Sequence, residues 1–140
     1  MFEKRLYEAS QRYLPPIISS LQFQDLAENC LLTLEEEIEK AKIFLDNLGS
    51  IMVFPNDKVL SQIIILDTLW LAKMLSTLLS AKEKSHNGLV DHVYLKDIWK
   101  YPEFPQYLYP YFLQILKKFE IAYDLSQESS TDVFLLFNIS

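Results

Sequence analysis

The chain has 140 residues and a formal net charge of -6, from 13 Lys+Arg against 19 Asp+Glu. It is 50% hydrophobic and 14% aromatic, which excludes a disordered tail, because burial on that scale offsets the entropy of ordering. With 2 Gly and 1 Cys it has no room for a glycine-rich phosphate loop, a disulfide scaffold or a four-cysteine zinc site. The acidic balance argues against a basic nucleic-acid surface.

The N-terminus, Met1-Phe2-Glu3-Lys4-Arg5, is charged from the start and lacks the apolar run of a signal peptide. The most apolar stretch, 60–81, is interrupted by Asp67 and Lys73 and reads as a buried strand and helix, not a membrane span. Cys30 reads as a free core thiol, and a cytoplasmic location is expected.

Phe2, Leu6, Ala9 and Tyr13 predict a weakly amphipathic helix over 2–13. Leu14-Pro15-Pro16 ends it, and 14–22 read as an extended connector. Residues 1–22 are therefore expected to be a linker, with the domain proper at 23–140 and a short helix at 23–30.

Thr33 and Glu36 fit a capping box that opens a helix over 34–48. Glu35, Glu36 and Glu37 suit the positive end of its dipole, with Leu34, Ile38, Ala41, Leu45 and Leu48 as the apolar stripe. Gly49 stops it. Residues 51–54 read as a short strand, and 63–66 as a strand buried on both faces. A helix over 69–80 turns Leu71, Met74, Leu75 and Leu78 inward.

Residues 81–87 read as a polar loop closed by Gly88. A short helix over 94–99 points Leu95, Ile98 and Trp99 inward. Pro110 suits the first position of the next helix, whose apolar face is Phe112, Ile115, Leu116 and Phe119. Strands at 121–125 and 133–137, joined by an acidic loop at 126–132, form a hairpin.

The expected fold class is α+β and mostly helical. It is a winged-helix-like domain with a C-terminal hairpin wing and an N-terminal linker helix. In that scheme the first helix is 34–48, the first strand lies in 51–66, the second helix is 68–80, the third is 93–120 in two pieces, and the wing is 121–137.

Catalytic chemistry has little to work with. His86 and His92 flank Gly88, and Cys30 is remote from both. No metal-ligand spacing joins them, so no catalytic, cofactor-binding or metal residue is assigned and no cofactor is expected. The alternative function is a winged-helix nucleic-acid module. Lys96 and Lys100 are opposed by Asp91 and Asp97, and Glu128 and Asp132 make the wing acidic, so phosphate neutralisation would be poor. More informative is the aromatic, proline-broken run Tyr101, Phe104, Tyr107, Tyr109, Tyr111 and Phe112, which suits a partner surface. Trp70 and Trp99 suit the core.

The segment Phe44-Leu45-Asp46-Asn47-Leu48-Gly49, followed by Leu66-Asp67-Thr68-Leu69-Trp70-Leu71, resembles the COR domain of Roco proteins. The family pattern there is F-L-x-x-x-G, a strand, a variable loop, then a strand ending L-[D/N/E]-P-x-W-L. Gly88-Leu89-Val90, Leu95-Lys96-Asp97-Ile98-Trp99 and Leu116-Lys117-Lys118-Phe119 continue the resemblance, which covers about residues 20–137. Thr68 departs from the family's proline but can start a helix as a cap.

The resemblance implies the winged-helix-like first half of a COR domain, which follows a Ras-like Roc GTPase domain. It implies a non-catalytic domain that packs on Roc in cis and couples nucleotide state to dimerisation and kinase signalling. GTPase and serine/threonine kinase activity would belong to other domains of the parent, as would leucine-rich repeats. The implied partners are Roc, the C-terminal half of COR, and a second copy in a full-length homodimer. Nucleic acid is not among them. Tyr107, Tyr109, Tyr111 and Phe112 are the candidate Roc-facing residues. Leu45, Gly49, Leu66, Asp67, Trp70, Leu71, Gly88, Trp99 and Phe119 form the structural signature.

Overall fold

The computed structural model of the chain describes residues 2–84, 89–100, 102–124 and 134–137. Its contacts divide the chain into two units, Met1–Leu71 and Ala72–Ser140. The boundary expected at residue 22 lies inside a helix, and the observed division lies within another.

In the first unit, α1 (Phe2–Arg12) buries Phe2, Leu6 and Ala9. These residues recur at helical spacing, so a single face meets the core. They join Phe23, Ala27, Ile38, Leu45, Ile51, Ile64 and Leu66 in one hydrophobic cluster, with the Phe2 and Phe23 rings edge-on at 5.1 Å.

The segment expected as an extended connector does more than connect. Its residues Ile17–Ser19 are a strand, β1, paired antiparallel with β2 (Ile63–Ile65) in the register Ile17↔Ile65 and Ser19↔Ile63. All of β2 is buried, and Ile18 is almost fully enclosed. On the other side of β2, the expected strand at 51–54 is reduced to one bridge. Met52 and Ile65 exchange N–H to carbonyl bonds at 2.9 and 3.0 Å.

Helix α2 (Ser20–Asn29) starts three residues before the expected position, because Ser19 caps it. The Ser19 hydroxyl accepts the Gln22 N–H at 3.1 Å, and the Gln22 side chain accepts the Ser19 N–H at 2.8 Å. This is a complete capping box. The box expected at Thr33 is not formed. Leu34 occupies the N-cap of α3 (Glu35–Asn47) and makes no side-chain cap bond, so Thr33 is one residue too early to serve. The stripe on α3 is also shorter than expected. Ile38 and Leu45 are buried and Ala41 half-buried, whereas Leu34 and Leu48 are exposed.

The division between units falls inside α4 (Thr68–Lys84), which extends four residues into the expected loop. Its Met74 and Leu78 are buried. His86 and Gly88, expected in and at the end of that loop, lie outside the described residues. Then follow β3 (Leu89–Asp91), α5 (His92–Ile98), a 3-10 turn at Gln106–Leu108, α6 (Tyr109–Lys118), β4 (Ala122–Asp124) and β5 (Phe134–Phe137). The sheet order is β3-β5-β4, antiparallel throughout.

The hairpin strands expected at the C-terminus are observed, with Ala122 opposite Phe137. Their connecting loop lies outside the described residues. The sequence helix, strand, helix, helix, strand, strand is the winged-helix order, and residues 68–137 carry it. Helix 34–48 and a strand within 51–66 were expected to open that order. They belong to the first unit instead, since β2 pairs with β1 and not with the hairpin.

Helices α2, α3 and α6 end in the same way. After α3, Gly49 (φ 80) donates to Asp46 and Ser50 donates to Leu45, both at 3.0 Å. This pair of bonds is the Schellman cap, which needs a left-handed residue. After α2 the left-handed residue is Leu31 (φ 67), and after α6 it is Glu120 (φ 56), with the equivalent bonds to Glu28 and Ala27, and to Lys117 and Leu116. A left-handed residue with a Cβ costs roughly 1–2 kcal/mol, and Leu31 and Glu120 both carry one.

Candidate partner-facing surface

Tyr109 and Phe112 of the proline-broken stretch pack on Trp99, with Phe104 against Phe112. Trp99 directly follows α5 and is buried, with 1% exposure. Tyr109 packs edge-on against it at 5.2 Å and Phe112 at 5.1 Å, while Phe104 meets Phe112 at 6.3 Å. Edge-to-face geometry of this kind adds to plain area burial.

The Tyr109 hydroxyl donates to the Trp99 carbonyl at 2.5 Å, satisfying an acceptor at the end of α5. Burial pushes the Tyr109 phenol above its ordinary value, so the hydroxyl stays protonated as a donor. The Trp99 Nε1–H is buried and has no hydrogen-bond partner among the described residues. Farther along, Lys73 on α4 reaches Glu103 in the stretch at 2.6 Å, an ion pair open to solvent.

These contacts separate the four candidate Roc-facing residues. Tyr107 is 70% exposed, on the 3-10 turn. Tyr109 and Tyr111 are half-buried. Phe112 is fully buried and therefore cannot face a partner. Its place on the inner face of α6, with Ile115 and Leu116, explains the correction.

The signature residues are placed by ordinary packing. Leu45, Leu66, Trp70, Leu71 and Trp99 are buried. Gly49 supplies the left-handed cap. Asp67 accepts the Leu69 N–H at 2.9 Å, so Asp67 caps α4 and the cap expected of Thr68 is not needed. Phe119 lies past the last turn of α6 and is 52% exposed, so it is not on the buried face expected for it. Sequence reading missed the exposure of Leu31, which reaches 86%. Position after a helix end gives no signal for it, since Trp99 directly follows α5 and is buried.

A cleft of about 320 Å³ in the first unit is lined by Ser20, Glu39, Lys42, Phe54 and Ser61, among others. Its ammonium is engaged: Lys42 pairs with Glu39 at 3.0 Å and lies 5.5 Å from the Phe23 ring centre. Among the described residues no cluster of His, Cys, Asp or Glu could hold a metal ion. No described helix is long and apolar enough to cross a membrane.

Comparison with known proteins agrees with this architecture. The family "C-terminal of Roc, COR-A domain" matches residues 2–136. The probable serine/threonine-protein kinase pats1 of Dictyostelium discoideum is 35% identical over 132 residues, covering 94% of this chain and 4% of that protein. The cyclic GMP-binding protein C of the same organism is 34% identical over 128 residues, covering 89% of this chain and 5% of that protein. The chain thus spans a small part of the relatives it matches. The solved Methanosarcina barkeri Roco2 RocCORdC, bound to GDP, has the same fold with a TM-score of 0.72 at 20% identity, covering 96% of this chain and 41% of that one. With the family match running through both units, the chain belongs to the COR-A domains, which follow the Roc GTPase domain in Roco proteins.

Proposed function

We propose that this chain is a non-catalytic regulatory domain. It packs on the adjacent Ras-like Roc domain in cis and couples the nucleotide state of that domain to dimerisation and kinase output. The GTPase and kinase chemistry lies in other domains of the longer protein, in the cytoplasm, and α1 leads the chain out of Roc. The family match over residues 2–136 carries this reading.

Tyr107 is the residue of the aromatic stretch that a Roc surface would bury, with Tyr111 beside it. Nucleotide state can act through such a contact only if the contact differs between states. In the full-length protein, replacing Tyr107 and Tyr111 by Ala is expected to change GTP turnover or Roc–COR association severalfold. Unchanged turnover and unchanged association would remove this surface from consideration.

A further inference from the structure

The Thr33–Glu36 spacing suits a capping box, yet the fold leaves it unused. Leu34 takes the N-cap of α3 and makes no cap bond. The Thr33 hydroxyl has no hydrogen-bond partner among the described residues. Thr33 is exposed and lies in irregular backbone between α2 and α3. Glu35, Glu36, Glu37 and Glu39 follow it at the second, third, fourth and sixth positions, and all four are exposed.

An open hydroxyl with acids on its C-terminal side has the charge pattern by which acidophilic protein kinases select a substrate. Of the described serines and threonines, Ser80 is the only other with an acid three residues on, Glu83. Ser80 lies inside α4, and Lys82 and Lys84 flank that acid in the sequence. Thr33 alone among the described residues joins the pattern to an irregular, exposed backbone. The start of α3 is also easily opened. Leu34 is already extended, with ψ 134, and no side-chain bond holds the first turn closed. The acids can therefore unwind into an enzyme cleft by local opening alone.

We infer that Thr33 is a phosphorylation site for an acidophilic serine/threonine kinase that reads Glu36. The Thr33 Oγ1 attacks the γ-phosphorus of ATP. The new O–P bond forms as the bond from that phosphorus to the bridging oxygen of ADP breaks, and the hydroxyl proton passes to the kinase's carboxylate. The product adds about 1.5 to 2 negative charges. Residues 13–39 already hold six carboxylates and no Lys, Arg or His, so the modification deepens an acidic segment. This goes beyond the function proposed above and does not depend on it.

The test uses the full-length protein, a purified acidophilic kinase and magnesium ATP. Tryptic cleavage after Arg12 and Lys40 isolates residues 13–40, whose hydroxyl candidates are Ser19, Ser20 and Thr33. Mass spectrometry of that peptide is expected to place one phosphate on Thr33. Thr33→Val should remove it and Thr33→Ser should keep it. Glu36→Gln should slow its incorporation by about tenfold, through loss of one charge-assisted contact in the enzyme cleft. Neither Thr33→Val nor Glu36→Gln should move the thermal midpoint, since both replace exposed side chains. Phosphate on Ser19 or Ser20 instead, no phosphate on the peptide, or an undiminished rate in Glu36→Gln would overturn the assignment.

Discussion

Each unit is held together internally, and the chemistry differs between them. The first packs mostly branched aliphatics, Ile18, Ile38, Leu45, Ile51, Ile64 and Leu66, around a short strand pair, with one edge-on ring pair, Phe2 and Phe23. The second is centred on rings, where Trp99, Phe104, Tyr109 and Phe112 meet at set angles and one hydroxyl secures a helix end. Aliphatic packing asks mainly for volume, whereas ring packing with a polar handle also asks for direction. The aromatic unit should therefore tolerate substitution less well at its centre.

Phe112→Ala is expected to show the largest effect, a loss of about 3–5 kcal/mol, since a fully buried ring leaves a large cavity. Urea unfolding measures it. Ile18→Ala should cost about 2–5 kcal/mol in the first unit. If Ile18→Ala proved the more damaging of the two, the contrast between units would break.

Ser19→Ala removes one arm of the capping box and should cost about 1 kcal/mol, read as a lower melting temperature. Tyr109→Phe keeps the ring and deletes the bond to the Trp99 carbonyl. A loss of about 0.5–1.5 kcal/mol sharpens the contrast by isolating direction from volume, and no loss would mean that the rings suffice. Lys73→Ala should cost no more than about 1 kcal/mol, because its pair with Glu103 is open to water.

Legibility in the sequence followed the range of the interactions. The buried β2, the inner faces of α4 and α6 and the strands of the hairpin were readable, because each is a local run or a helical period. The strand β1 was not, since Ile17-Ile18-Ser19 gains its meaning only from β2, far along the chain. The Ser19–Gln22 cap could have been found, as it has the spacing of a capping box, but Thr33–Glu36 has the same spacing and is inactive. Spacing shows what could bond, and the position of the helix start decides what does.

The winged-helix order was legible as an order and shifted in its first elements, because two helix–strand successions compete for the opening position. At the candidate surface, composition flagged the aromatic stretch. Composition alone does not separate exposed Tyr107 from buried Phe112, although the helical period already put Phe112 on the apolar face of α6.

The pairing of β1 with β2 also bears on synthesis. During translation, β1, α2 and α3 emerge before the strand that completes them exists. At roughly 5–20 residues per second, their apolar faces wait for seconds, with β1 presenting unpaired backbone. Such a nascent segment is an open invitation to chaperones and to neighbouring chains on the same message. The first unit can close only once Ile63–Ile65 have cleared the ribosome, so a pause before that point lengthens the vulnerable interval and one after it does not.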